Sequence, residues 1–144
     1  MKLVPASVSD QDALFALHEE LFRHHIEQIW GWDDEWQLAN FHKEWDESLT
    51  ELILHDGQTA GYIQTREEPD HLYLLGIAID PACQGKGIGT AVMRTLQQRA
   101  SLGRLPLRLS VFRTNARVIA FYQRLAFAVE SETETGCVMR WEPT

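Results

Sequence analysis

Residues 77–90 read Ile77-Ala78-Ile79-Asp80-Pro81-Ala82-Cys83-Gln84-Gly85-Lys86-Gly87-Ile88-Gly89-Thr90. An apolar run stops at Asp80-Pro81, three alternating glycines follow, and a helical pattern runs from about Lys86 to Ala100. Glycine lets the backbone take a positive φ and come close to a ligand. A helix start offers unpaired N–H groups and the positive end of its dipole, and both favour phosphate. Lys86 adds a positive charge at the same place. The stretch therefore reads as a strand, an anion-binding turn and a helix, in preference to a glycine-rich helix start with no ligand.

Two nucleotide motifs are excluded. A P-loop needs Ser or Thr after its Lys, and Gly87 stands there; the dinucleotide fingerprint needs a third Gly where Thr90 falls.

Outward from the turn, the pattern is that of a mixed α/β domain. His71–Ile79 is mostly apolar, as in a strand covered on both faces. Before it, Glu51–His55 and Ala60–Thr65 flank Asp56-Gly57, a strong hairpin signal. Further back, Leu14, Leu17, Leu21, Ile26 and Ile29 recur at near-helical spacing behind Ser9 and Asp12, a pair resembling a capping box. Gly31 interrupts this helix. Asp33, Asp34 and Glu35 open a second one, whose buried face is expected at Leu38, Phe41 and Trp45. Downstream, Gly103 fits the cap of the helix after the turn, Leu107–Phe112 reads as a strand and Asn115–Leu125 as a helix. Phe127–Glu130 and Cys137–Trp141 close a largely antiparallel sheet flanked by helices, an α+β arrangement.

The chain has 144 residues, which fits a single domain over 1–144. Its 13 Lys and Arg stand against 21 Asp and Glu, a net charge of −8 that argues against a general nucleic-acid binder. The charge is uneven. Gln84 to Arg124 has eight basic residues and no acid, whereas Asp10 to Asp56 has 13 acids against Arg23 and Lys43. No apolar leader or membrane span is read, and Cys83 and Cys137 lack metal-ligand spacing. A reducing cytoplasm is the expected location, with two free thiols. His18, His24 and His25 lack the spacing of a zinc motif, so no metal is expected.

Gln84-x-x-Gly87-x-Gly89 is similar to the Q/R-x-x-G-x-G/A signature of the GNAT superfamily of acetyl-CoA-dependent N-acyltransferases. About 30 residues on, Asn115-Ala116-Arg117-Val118-Ile119-Ala120-Phe121-Tyr122-Gln123-Arg124-Leu125-Ala126-Phe127 resembles that family's N-x-x-A-x-x-F-Y-x-x-x-G-F segment. Two motifs in the family's order are far more specific than either alone. The resemblance is sharp over Leu72–Phe127 and weak before it.

The resemblance implies a role for each matching residue. Ile77, Ala78 and Ile79 pair with the pantetheine arm and place the acetyl carbonyl, while Gln84, Gly85, Lys86, Gly87, Ile88, Gly89 and Thr90 wrap the pyrophosphate. Asn115 helps bind the cofactor near the thioester. Tyr122 is the general acid for the departing thiolate, a role suited to a phenol with a pKa of ~10. Its other reading is a core aromatic on the Val118–Ile119–Tyr122–Leu125 face. Ser110 stands where some members carry Glu, which leaves the base among Glu27, Asp33, Glu35 and water. Ala126 replaces the family's Gly.

The acceptor side is expected in Glu27-Gln28-Ile29-Trp30-Gly31-Trp32-Asp33-Asp34-Glu35-Trp36. Glu27, Trp30 and Trp32 are its candidate substrate contacts, because indoles and carboxylates together suit a cation. Equally, Trp30 and Trp36 pack the helices while the acids cap the second one. The expected function is acetyl transfer from acetyl-CoA to a primary amine, a cationic small molecule or a protein amine, by direct attack in a ternary complex. No nucleic-acid or membrane partner is expected, and a homodimer is compatible with the sequence. The rivals are a non-catalytic acyl-CoA-binding module of the same fold and a nucleotide-binding protein of another fold.

Overall fold

The computed structural model describes residues 1–144. In chain order the elements are β1 (Lys2–Pro5), α1 (Gln11–Ile29), α2 (Asp34–Glu47), β2 (Leu49–His55), β3 (Gln58–Glu67) and β4 (Leu72–Ile79). Then come α3 (Ile88–Leu102), β5 (Leu107–Phe112), α4 (Ala116–Arg124), β6 (Ala128–Glu132) and β7 (Gly136–Trp141). The seven strands form one sheet in the order β1-β2-β3-β4-β5-β7-β6. β4 and β5 run parallel, whereas β1–β2, β5–β7 and β6–β7 are antiparallel. The expected mixed, largely antiparallel sheet with helices is therefore present.

Two compact units make up the chain: Met1–Gln64 with Ile77–Ile88, and Thr65–Gly76 with Gly89–Thr144. In the first unit, Leu14, Phe41, Tyr62 and Ala78 form a buried cluster, flanked by Phe15, Leu17, Leu21, Phe22, Trp45 and Leu52. Burial pushes the Tyr62 phenol above its ordinary value, and the nearby Glu44 carboxylate adds to the shift. The Asp56-Gly57 hairpin has φ 52° and 75° at its two turn residues, as a twist-matched two-residue loop requires.

In the second unit α3 buries Val92, Met93, Leu96 and Ala100, a stripe at helical spacing. Gln97 is buried beside them, and its Nε2 donates to the Leu125 carbonyl at 2.8 Å. That bond ties α3 to the end of α4 and satisfies a buried amide. On the strands, Leu107, Leu109, Cys137 and Met139 are buried.

Four local expectations are corrected. The first helix begins behind a short 3₁₀ turn, Val8–Asp10, where Ser7 N–H donates to Asp10 Oδ2 at 2.8 Å. The bracing pair is thus Ser7 and Asp10, not Ser9 and Asp12. On α2 the buried residues are Phe41, as expected, and Gln37, while Leu38 is 40% exposed. α3 starts at Ile88, after both left-handed glycines of the turn, and not at Lys86. Past α3 the left-handed residue is Arg104, at φ 55°, one place beyond Gly103. Arg104 N–H donates to the Ser101 carbonyl and Leu105 N–H to that of Ala100, which is the Schellman pattern.

Candidate active site

In the first unit, β4 runs into the turn. The Asp80 Oδ1 accepts from Ala82 N–H at 2.9 Å and caps a 3₁₀ turn over Pro81–Cys83. The Gln84 Nε2 reaches back and donates to the Ile79 carbonyl at 2.9 Å. This motif glutamine thus fastens the turn to the end of the strand. Gly85 and Gly87 then take φ of 78° and 77°, where a side chain is strained. Nothing lies within 4 Å of the space a Cβ would occupy at either one. Neither packing nor a neighbour demands glycine here; backbone conformation does, and the surface above is open. Lys86 is exposed between them and Ile88 is buried at the start of α3.

Ile77, Ala78 and Ile79 end β4, with Ala78 in the buried cluster. β3 is tied to this end, since the Asp80 N–H donates to the Ala60 carbonyl at 2.8 Å. At Gly61 a Cβ would stand 1.9 Å from the Ala78 carbonyl oxygen.

Of the expected acceptor residues, Glu27 accepts from Arg23 Nε at 2.7 Å, and Glu19 holds the same guanidinium at 2.9 Å. That guanidinium lies over the Trp32 ring, 5.4 Å from its centroid. The cation position on Trp32 is therefore filled by the chain's own Arg23. Trp32 is fixed further by its indole N–H, which donates to Asp34 Oδ1 at 2.6 Å. Asp33 caps α2 by accepting from Trp36 N–H. Trp30 and Trp36 are 65% and 60% exposed, so neither is a simple packing residue.

His18, one of the three histidines without zinc-motif spacing, has a specific place in the structure. Its ring is flanked by Phe15, Phe22, Trp32 and Phe41, with centroids 5.4–6.1 Å away. Its Nε2 lies 3.5 Å from the Gln37 Oε1. Burial lowers its pKa, against smaller upward pulls from Gln37 and Glu19. The only sequence signal was the helical spacing of Phe15, His18 and Phe22, which does not distinguish a core face from a site.

In the second unit, Gly89 and Thr90 lie in the first turn of α3. Asn115 is the N-cap of α4, its Oδ1 accepting from Val118 N–H at 3.3 Å. The Asn115 amide NH₂ donors are not used in that cap. Tyr122 is 4% exposed and packs edge-on against Phe121 and Phe127. Burial raises its pKa, so the phenol keeps its proton at physiological pH. The same burial makes it a weaker donor than a solvated phenol.

The spacing Tyr122-x-x-x-Ala126-Phe127 has a structural cause. The Phe127 N–H donates to the Tyr122 carbonyl and the Ala126 N–H to that of Gln123, forming a second Schellman motif with Ala126 at φ 70°. Its apolar contact is the pairing of Phe127 with Tyr122, 5.4 Å between rings. The glycine this position favours is the one the family motif carries. Ser110 is exposed on β5, opposite Val138 of β7, and supplies no carboxylate.

A family model described as "Acetyltransferase (GNAT) family" matches residues 12–127. The mycothiol acetyltransferase of Mycobacteroides abscessus is 31% identical over 129 residues, covering 83% of this chain and 43% of that protein. The [ribosomal protein bS18]-alanine N-acetyltransferase of Escherichia coli is 30% identical over 108 residues, covering 72% of this chain and 71% of that protein. The chain thus spans less than half the length of the mycothiol acetyltransferase. The fold is similar to that of the PaiA N-acetyltransferase from Thermoplasma acidophilum, solved with coenzyme A. There the TM-score is 0.78 at 18% identity, over 98% of both chains.

Proposed function

The chain belongs to the acetyltransferase (GNAT) family, and on that premise we propose that it moves an acetyl group from acetyl-CoA to a primary amine. The observation that carries the reading is the turn from Gln84 to Ile88. It holds two left-handed glycines with open space above them, an exposed Lys86, and a helix start immediately after. Those features suit a pyrophosphate, and in this family the pyrophosphate is that of coenzyme A.

In the proposed reaction Gln84 through Thr90 holds the pyrophosphate, Ile77–Ile79 lines the pantetheine arm, and Asn115 adds a polar contact near the thioester. The amine nitrogen attacks the thioester carbon in a ternary complex, forming the C–N bond and placing negative charge on the carbonyl oxygen. Backbone N–H groups of β4 stabilise that oxyanion. The C–S bond then breaks, and Tyr122 gives its proton to the thiolate. The proton lost by the amine leaves through water or Glu35, since Glu27 is paired with Arg23 and Asp33 caps α2.

The acceptor is a cationic small molecule or a protein amine. The relatives, named for mycothiol and for a ribosomal-protein alanine, support both classes. The test is thiol release from acetyl-CoA across small cationic amines and peptides with a free N-terminal alanine. Coenzyme A binding without turnover of any amine favours the non-catalytic module, and ATP or NAD bound more tightly than coenzyme A removes the reading.

A further inference from the structure

Gly61 lies on β3, outside both sequence motifs, and has no side chain where one would be most damaging. A Cβ built there would stand 1.9 Å from the Ala78 carbonyl oxygen, 2.9 Å from the Ala78 carbonyl carbon and 3.0 Å from the Ile79 Cα. All three are backbone atoms of β4. They cannot swing aside as the end of a flexible side chain can. Any residue other than glycine at 61 must therefore displace the Ala78–Ile79 peptide.

The next peptide, Ile79–Asp80, is held by two hydrogen bonds, so the strand cannot shift freely there. The Asp80 N–H donates to Ala60 at 2.8 Å, and the Ile79 carbonyl accepts from Gln84 Nε2 at 2.9 Å. The Ala78 side chain is buried among Leu14, Phe41 and Tyr62. No peptide bond in the chain is cis, so C=O and N–H point in opposite directions across each plane. With the Ala78 carbonyl held over Gly61, the Ile79 N–H is aimed away from β3.

We infer that Gly61 is a positioning residue for acetyl transfer: its missing side chain lets β4 approach β3 closely enough to aim the Ile79 N–H at the thioester oxygen. The inference rests on the acetyl-CoA reading above and adds to it a residue that touches neither cofactor nor acceptor. Oxyanion donors act only at the right distance, and losing one costs about 10²–10³ in kcat. A Cβ at position 61 would move the donor without altering the phosphate turn, so its effect belongs on kcat and not on cofactor affinity.

The test compares wild type with Gly61→Ala, reading kcat, the KM for acetyl-CoA and the carbonyl stretch of bound ¹³C-labelled acetyl-CoA. The expected result is a fall in kcat of about a hundredfold with KM within about threefold. The lowered carbonyl frequency expected for wild type should be lost. Should Gly61→Ala fail to fold, Ile79→Pro, which removes the N–H itself, is expected to give the same split. A folded Gly61→Ala with wild-type kcat and carbonyl frequency overturns this inference alone, as does an Ile79→Pro enzyme with unchanged kcat. Wild-type protein that neither binds nor turns over acetyl-CoA overturns the acetyltransfer reading and this inference with it.

Discussion

Tyr122 shows what a single residue owes to its motif and what it owes to its surroundings. Its proposed role comes from its place in the motif, while its burial and raised pKa come from the packing of Phe121 and Phe127 around it. Tyr122→Phe keeps the ring and removes only the acid, so kcat should fall at least about tenfold with little change in acetyl-CoA affinity. An unchanged steady-state rate would remove Tyr122 as the acid. His18 makes the opposite case, because no sequence pattern distinguishes it from His24 or His25. Its environment depends on Trp32 from the α1–α2 connection and on Gln37 and Phe41 from α2. Burial holds its folded pKa below the usual His value of 6.5, so as pH falls through 6.5 the unfolded chain takes up a proton first. Stability should therefore drop between pH 6.5 and the lower folded value, and His18→Gln should flatten that slope. Urea unfolding across this range measures both, and parallel slopes would show that His18 does not titrate as described.

At the scale of elements, local rules were legible wherever one residue type dominates a conformation. Asp56-Gly57 and the glycines of the phosphate turn are such places. The rules failed where the chain puts an ordinary residue in a glycine position. Both α3 and α4 end in Schellman motifs whose left-handed residue is not glycine: Arg104 at φ 55° and Ala126 at φ 70°. Left-handed geometry costs an L-residue roughly 1–2 kcal/mol, offset in part by the greater freedom glycine loses on folding. Ala126→Gly and Arg104→Gly should each stabilise the protein by about 1 kcal/mol, read as a rise in the urea midpoint at constant slope. Ala126→Gly should not change kcat if the motif already holds Tyr122 in place. The reverse experiment belongs to the phosphate turn. A β-branched side chain is strongly disfavoured at φ 77°, and its Cβ would fill the open space above the turn. Gly87→Val should therefore weaken coenzyme A binding by more than about tenfold, by calorimetry, while the fold survives because the turn is exposed.

For the molecule as a whole, strand order was the least legible feature. Cys137–Trp141 was readable as a strand, but its insertion between β5 and β6 depends on pairings that no local pattern encodes. Charge was readable but changes meaning once the units are known. The basic window from Gln84 to Arg124 is divided, with Lys86 in the first unit and its seven arginines in the second. The first unit carries 14 acidic and 4 basic residues, a net −10, while the second carries 7 and 9, a net +2. Arg108, one of the seven, is held by Glu130 at 2.8 Å. The basic window is therefore divided between the units and partly paired. On the proposed reading the turn would hold the pyrophosphate inside an acidic unit, through its own N–H groups and Lys86, at contact distances that salt screens poorly. Repulsion from the remaining acids acts at longer range and is screened first, within a Debye length of about 10 Å at 0.1 M. The KM for acetyl-CoA should then change less than about threefold between about 0.02 and 0.5 M salt, and Lys86→Gln should raise it at every salt concentration. A cationic acceptor meets the acidic unit with attraction at long range, so its KM should climb severalfold over the same interval. Steady-state kinetics with paired cationic and neutral amines separates the two responses. A preference for acidic acceptors, or an acetyl-CoA KM that rises steeply with salt, would show that the charges of the units do not divide the work in this way.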